Sequence, residues 1–185
     1  MKLSEILKEI NVLSAAASGD GLTPETAVKT LSEGYALLDK AAGGKLVLSG
    51  PVEGGGFDAA GSAVTGPVTI TGTETGTLTL TGNKATLTLS GTTVLENLSI
   101  KLDAGKDKNS VFLYSGADLT LGENMTVTGT GSLKVFCSDP SGIRDVRVRA
   151  FSGTYHTFFM GGNSGSTTGN VDLTIGGTTE VTSNV

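Results

Sequence analysis

The stretch Thr75–Ile100, TGTLTLTGNKATLTLSGTTVLENLSI, decides the fold. Leu and Ile alternate with Thr and Ser along it, and only Gly, Asn and a few other residues interrupt the alternation. An apolar residue at every second position is typical of a strand that buries one face, whereas a helix repeats its apolar face every three or four residues. The stretch therefore predicts a series of short β-strands.

The same alternation runs through most of the chain. An antiparallel sandwich also has short strands, but this series lacks the Asn-Gly and Asp-Gly pairs that mark hairpins, since Asp20–Gly21 lies ahead of it. Segments such as VTITGTETG, LTLTGNKAT and LTLGENMTV also resemble one another, which favours stacked repeats of a solenoid. The predicted strand cores are Leu46–Leu48, Val68–Ile70, Leu78–Leu80, Leu87–Leu89, Leu98–Ile100, Val111–Leu113, Leu119–Leu121, Met125–Val127, Leu133–Val135, Val146–Val148, Phe158–Met160, Val171–Ile175 and Val181.

Composition and net charge limit the fold classes and the binding partners that fit this chain. The 185 residues are the size of one domain, and 28 Gly, 6 Phe, 3 Tyr and no Trp favour many strands and sharp corners over a bulky core. A net charge of -5 argues against nucleic acid and anionic membrane surfaces, and no apolar run is long enough to span a membrane. Cys137 is the single cysteine, so no intrachain disulfide forms, and we interpret it as a small buried hydrophobe.

Before the strands, the sequence predicts helices. Leu3, Ile6, Leu7 and Ile10 have the spacing of one helix face, so residues 1–17 are predicted to be an amphipathic helix over residues 3–12 and a linker. Residues 18–185 form the predicted solenoid domain. Thr23 with Pro24 resembles a helix start, and Thr30 with Glu33 forms a capping box for a second helix that ends at Gly43–Gly44. One or both helices are expected to cap the solenoid.

These motifs carry a family resemblance. SGDGLTPETAVKTLSEGYALL, residues 18–38, and TTVLENLSI, residues 92–100, resemble the opening and one coil of right-handed parallel β-helices of the pectate-lyase-like class. The resemblance implies an all-β, right-handed parallel β-helix with an N-terminal capping helix, and it implies that Asn97 occupies an inward corner. Residues 153–181, which are rich in Gly and Asn, resemble rungs of large cell-surface proteins of gut bacteria.

The candidate ligand site is the densest group of chemically active side chains. Arg144, Arg147 and Arg149 are all the arginines of the chain, and the last two are expected on one outer strand face, with Tyr155 and the single histidine, His156, close behind. Guanidinium groups match carboxylates and an aromatic ring stacks on a sugar, so this group predicts a site for an acidic saccharide. The alternative is an ordinary outer strand face on which Asp139 and Asp145 pair with the arginines.

The expected function is structural. We expect a non-enzymatic segment of an exported bacterial surface protein, an adhesin, stalk or assembly unit, extracellular or on the cell surface, although Glu5, Lys8 and Glu9 argue against a signal peptide here. No metal site, cofactor, nucleic acid or membrane insertion is predicted, while surface glycans or proteins are possible partners. A polysaccharide lyase or glycoside hydrolase is the second reading, and an ice-binding sheet with Thr69/Thr71, Thr77/Thr79 and Thr86/Thr88 rows is the third. The strand pattern at residues 171–185 predicts either further coils or self-association through that end.

Overall fold

The chain folds into a parallel β-solenoid. The computed structural model describes residues 9–15, 19–54, 57–59, 64–81, 85–89, 91–103, 110–114, 118–137, 145–160 and 169–184. All pairings between strands in this part are parallel, which confirms the predicted parallel β-helix. The strands are β1 Glu9–Val12, β2 Gly44–Leu48, β3 Pro51–Gly54, β4 Phe57–Asp58, β5 Val68–Gly72, β6 Thr77–Thr81, β7 Thr86–Thr88, β8 Thr93–Glu96, β9 Ser99–Asp103, β10 Ser110–Tyr114, β11 Asp118–Leu121, β12 Thr126–Thr130, β13 Ser132–Phe136, β14 Val146–Phe159 and β15 Val171–Asn184.

The strands stack in three rows that wind around one interior. The first row is β1, β2, β5, β8 and β11, the second row is β3, β6, β9 and β12, and the third row is β4, β7, β10 and β13. The long strand β14 pairs with β11 at its beginning and with β13 at its end, so it joins the first and third rows into one sheet. β15 follows β14 along most of its length, with register shifts at two bends.

Stacked aliphatic side chains fill the interior. Along the first row and the beginning of β14, which continues it, one inward position is occupied in register by six fully buried residues, each 0 % exposed: Ile10, Leu46, Ile70, Leu95, Leu121 and Ala150. The alternate positions beside this column face outward, because successive side chains of a strand point to opposite faces: Glu9, Lys45, Thr69, Val94, Thr120 and Arg149. The period-two pattern of the sequence therefore becomes a continuous apolar column along the solenoid.

The predicted N-terminal helix is wrong over residues 9–12. These residues form β1, which pairs in register with β2, and residues 1–8 lie outside the described part. Ile10 and Val12 are both 0 % exposed. Their spacing of two residues fits a strand, although Ile10 also fits the apolar face of the predicted helix. The available sheet edge on β2 decides between them, since tertiary pairing overrides a weak helical pattern.

Both predicted helix starts are confirmed, but the capping box at Thr30 forms only in part, and α1 ends at Leu37 and not at the predicted Gly43–Gly44. Thr23 caps a 3₁₀ turn, Pro24–Thr26, and Thr30 caps helix α1, Leu31–Leu37, by accepting a hydrogen bond from the Glu33 backbone N–H at 3.1 Å. The Glu33 carboxylate in turn accepts a hydrogen bond from the Lys29 N–H at 2.8 Å. The inner face of α1 covers the start of the solenoid with Leu31 and Tyr35, which are 4 % and 1 % exposed.

Asn97 does occupy a corner, but its side chain does not point inward as the family resemblance implies. Asn97 and Asn124 have φ angles of 49° and 54°, a left-handed conformation that Asn tolerates better than most residues, and both are exposed. Asn124 Nδ2 donates a hydrogen bond to Asn97 Oδ1 across 2.8 Å. The two corners are therefore joined on the outside of adjacent coils.

Candidate functional site: an arginine cleft and a histidine groove

Arg147 and Arg149 lie on the outer surface of the first row, as predicted. Their neighbours Val146 and Val148 point into the core and are 2 % and 0 % exposed, so the alternating arginines must face outward. Arg144 lies outside the described residues. The two described arginines are thus neighbours on one face of β14.

Arg147 is held between two carboxylates of the adjacent strands. The strand register sets Asp118 of β11 and Asp172 of β15 on either side of it. Arg147 Nη1 lies 3.8 Å from Asp118 Oδ2, and Arg147 Nε lies 3.5 Å from Asp172 Oδ2. All three side chains are about half exposed, so the pairs contribute little net stability, at most about 1 kcal/mol each. They nevertheless occupy the guanidinium that was predicted to meet a ligand.

The surroundings of Arg147 form a small acidic cleft of about 160 Å³, which we call the arginine cleft. Asp145 also lines it, and Asp145 Oδ1 accepts a hydrogen bond from the Asn170 backbone N–H at 2.7 Å. Three carboxylates therefore surround one guanidinium, and the local charge is negative. The sequence-based alternative named Asp145 as an ion-pair partner, but the ion pairs of Arg147 within the described residues run to Asp118 and Asp172. Asp139 lies outside the described part.

Arg149 has different neighbours from Arg147. The strand register sets Thr120 and Thr174 on either side of it, so hydroxyls occupy the positions that hold carboxylates around Arg147. Its side chain is half-buried. Of the two described arginines, Arg149 is the one whose flanking ladder positions leave its charge uncompensated.

The structure contradicts the predicted surface position of Tyr155. Its ring is 0 % exposed, packs against Phe158 at a centroid distance of 5.3 Å, and its hydroxyl donates a hydrogen bond to the Ser152 carbonyl at 3.0 Å. Burial raises the pKa of the Tyr155 hydroxyl. The alternation of β14 shifts by one residue at Gly153 and Thr154, neither of which is buried, so position 155 points inward and its ring is not available to stack on a sugar.

His156 lies on another side of the solenoid from the arginines. It lies at the second register shift of β14, directly before the segment that pairs with β13, and its Nδ1 is 2.7 Å from Thr157 Oγ1. It lines a surface groove of about 480 Å³, together with Lys134, Phe159 and Met160, which we call the histidine groove. Phe159 is 39 % exposed and stacks on the buried Phe136 at 4.7 Å. The predicted site is therefore divided between two faces.

Sequence reasoning missed four residues of these two sites: Asp118, Asp172, Lys134 and Phe159. Asp118, Asp172 and Lys134 are each a coil away from the residue they accompany, and the coils differ in length, so spacing along the chain does not reveal these neighbours; Phe159 is only three residues from His156 in β14. The one available signal was self-similarity, because aligning DLTL of β11 with RVRA of β14 and DLTI of β15 sets Asp118, Arg147 and Asp172 in one column. That alignment depends on knowing the coil boundaries.

Within the described residues, no group of three or more His, Cys, Asp or Glu side chains is arranged to hold a metal ion. No helix in that same part of the chain is long and apolar enough to cross a membrane. A scan of protein-family models and searches of curated proteins and of solved structures found no match. The solenoid fold therefore rests on the structure, and the likeness to pectate-lyase-like and bacterial surface proteins rests on the sequence motifs alone.

Proposed function

We propose that this chain is a rigid, non-enzymatic solenoid segment of an exported bacterial surface protein, in which it serves as a stalk, adhesin or assembly unit. The observation that carries the proposal is the uninterrupted aliphatic column from Ile10 to Ala150, each member 0 % exposed and in register with the next. Such a column makes each coil depend on its neighbours and gives the molecule a fixed length along one axis. A spacer requires a fixed length, whereas an enzyme requires a catalytic site.

The arrangement of charged groups favours this reading over a lyase or hydrolase. Asp118 and Asp172, the two carboxylates that flank one position of the outer ladder, have Arg147 between them at ion-pair distance. A glycosidase needs the space between its carboxylates for the sugar and, in inverting enzymes, for a water molecule. Asp145 is engaged with the Asn170 backbone. These contacts join outward side chains to neighbouring strands, as on an ordinary outer strand face.

An ice-binding face has less support. It requires a regular array of Thr, and the second row does place Thr79 and Thr128 at the same position of the first and third of three successive coils. Lys101 lies between those two positions, however, and Asp103 lies between Thr81 and Thr130. Both charged side chains are exposed. The array is therefore interrupted in its middle strand.

The location is tested on intact cells that produce the protein. An antibody raised against the folded domain should stain unpermeabilised cells, and added protease should remove that staining while leaving a cytosolic control protein intact. Staining that appears only after permeabilisation would refute the surface assignment.

The rigidity is tested by distance measurements between spin labels. Glu9, Thr120 and Thr174 lie in one outward row, with four ladder steps from Glu9 to Thr120 and six from Glu9 to Thr174. At roughly 4.8 Å a step, the Cα separations are about 19 and 29 Å. Cysteine pairs at these positions in a Cys137→Ala background, diluted with unlabelled protein, should give narrow distributions about 10 Å apart. Broad, overlapping distributions would exclude a rigid spacer.

A second candidate function, contact with acidic glycans, is favoured by the histidine groove. Lys134 and His156 line it without an acidic residue among its described lining, and Phe159 offers an exposed ring for a sugar face. On a glycan array, Lys134→Ala with His156→Ala should abolish binding of uronic-acid glycans, while Arg147→Ala, in the negative arginine cleft, should leave it unchanged. Equal loss in both variants, or no binding by the wild type, would remove this candidate.

A further inference from the structure

β15 has one open edge in the described part of the chain. In the described part of the chain β15 pairs with β14 alone, so its other edge carries no partner strand. The inward residues Val146 and Val148 of β14 are 2 % and 0 % exposed because coils cover them on both sides. On β15, the equivalent residues Val171 and Leu173 are only partly buried, and Ile175 is 38 % exposed. An open row of aliphatic groups beside unpaired backbone is a template for another strand.

The opposite end of the solenoid does not offer a matching edge. The segment after β1 folds back over that strand: Asn11 N–H donates to the Gly21 carbonyl at 2.7 Å, and Leu13 N–H donates to the Val28 carbonyl at 2.8 Å. Val28 N–H donates to the Asn11 carbonyl at 2.9 Å. Because this backbone is already paired, β15 of one molecule has no free edge to meet at β1 of another. Head-to-tail stacking into a filament is therefore disfavoured.

We propose that β15 pairs with β15 of a second copy of this chain, antiparallel and around a two-fold axis, to form a tail-to-tail dimer. A two-fold axis brings the same surface of both copies together, and antiparallel pairing is the direction that it imposes on a single edge strand. The two apolar interiors then cover each other. This association does not depend on where the protein resides in or on the cell.

Charge selects the register of this pairing. When the axis passes Leu173, Leu173 faces its own copy, Val171 faces Ile175, and Asp172 faces Thr174. Asp172 stays compensated by Arg147 Nε at 3.5 Å. An axis at Glu180 would oppose two glutamates, and an axis at Gly176 would oppose Asp172 and Glu180, both of which cost free energy. The register centred on Leu173 avoids like charges and aligns the aliphatic side chains.

Substitutions at Thr174 test the register because this side chain is exposed and points outward. In the proposed dimer, Thr174→Asp sets two carboxylates opposite each other, whereas Thr174→Lys sets a cation opposite Asp172. Sedimentation equilibrium over a concentration series should show about threefold to tenfold weaker dimerisation for the first variant and stronger dimerisation for the second. Within one molecule the order reverses, since Arg149 is the ladder neighbour of Thr174 and favours Asp there. The two Thr174 variants should therefore change the fold stability and the dimerisation in opposite directions.

Two further variants test the two-fold contact itself. Leu173→Lys should make the protein monomeric with an unchanged far-ultraviolet circular dichroism spectrum, while Leu22→Lys, the same change at a residue 60 % exposed near the other end, should leave the dimer intact. In a Cys137→Ala background, Leu173→Cys should form a disulfide between copies and Leu22→Cys should not. A wild-type protein that is monomeric at all concentrations, equal effects of the two Thr174 variants, or disulfides at Leu22 would each overturn the proposal.

Discussion

Leu95→Ala is the substitution that most directly tests the stacked column. Leu95 is 0 % exposed and lies in register between Ile70 below and Leu121 above, so truncation leaves a gap in the middle of the aliphatic column. Ile175→Ala is the matched control. It removes a side chain of the same size from the last position of the same column, where the residue is 38 % exposed and is covered by Ala150 on one side.

The expected costs differ because burial differs. A fully buried Leu→Ala change loses the transfer free energy of the side chain and leaves a cavity, about 2 to 5 kcal/mol in total. The interior of a solenoid closes such a cavity poorly, since the strands above and below are fixed by their ladders, so we expect about 3 to 4 kcal/mol for Leu95. Ile175 has already lost part of its burial and has only one neighbouring layer, so about half that cost is expected.

Urea unfolding followed by circular dichroism measures both variants. Against a total stability of about 5 to 15 kcal/mol, the Leu95 change should move the midpoint strongly, with the slope of the transition unchanged. The measurement must be made at a concentration where the two proteins have the same oligomeric state, because Ile175 lies in the proposed dimer contact. Equal, small shifts for the two variants would refute the stacked column as the source of stability.

Four further outcomes follow from the structure. Ser152→Ala should cost about 1 to 3 kcal/mol, because the buried Ser152 Oγ accepts from the Met125 N–H at 2.8 Å and donates to the Gly122 carbonyl at 2.6 Å, whereas the exposed Thr154→Ala should be nearly neutral in the same urea titration. Thr30→Ala should cost about 1 kcal/mol through the lost helix cap, and Thr30→Ser should recover most of it. Leu80→Asp should prevent folding, as judged by circular dichroism, because the side chain is 2 % exposed. Burial raises the pKa of the Cys137 thiol from its usual 9.0 to about 12, so stability should fall as pH rises across that interval, and less steeply in Cys137→Ala.

The direction of that pH effect follows from which state holds the proton. The unfolded chain loses the Cys137 proton near its usual pKa, while the folded chain keeps it until the higher value, so deprotonation stabilises the unfolded state first. The contribution of the thiol is fully present below pH 9 and is lost toward pH 12. The buried Tyr35 and Tyr155 hydroxyls, whose pKa values burial also raises, act in the same direction. A stability profile that is flat from pH 8 to 11 would contradict the burial of these groups.

The strands were predictable because the alternation is a local property. A residue such as Leu87 or Val148 has polar neighbours on both sides in the sequence, and this is enough to decide which way it points. Short or apolar strands were harder: β4 has only two residues, and β8 has consecutive Val94 and Leu95 instead of a clean alternation. β1 was mistaken for a helix because its partner, β2, is more than thirty residues away, at Lys45 for Glu9. The local pattern shows which face of a strand a residue occupies, whereas pairing with a distant strand decides whether the segment is a strand or a helix.

Among the described residues of the candidate site, the prediction was wrong for the buried Tyr155, and for a related reason. Counting alternate positions from Arg147 and Arg149 would keep Tyr155 on the outside, but the alternation of β14 shifts by one residue after Ser152, because neither Gly153, which has a φ angle of 97°, nor Thr154 is buried. The shift directly follows Ser152, whose buried hydroxyl is hydrogen-bonded to Gly122 and Met125 at the corner of the preceding coil, so the faces of the residues after it depend on where that corner falls. In this solenoid, the inward or outward direction of a residue therefore depends on which residue of the neighbouring coil it stacks on. A surface site can be predicted only after each corner is aligned with the corner below it.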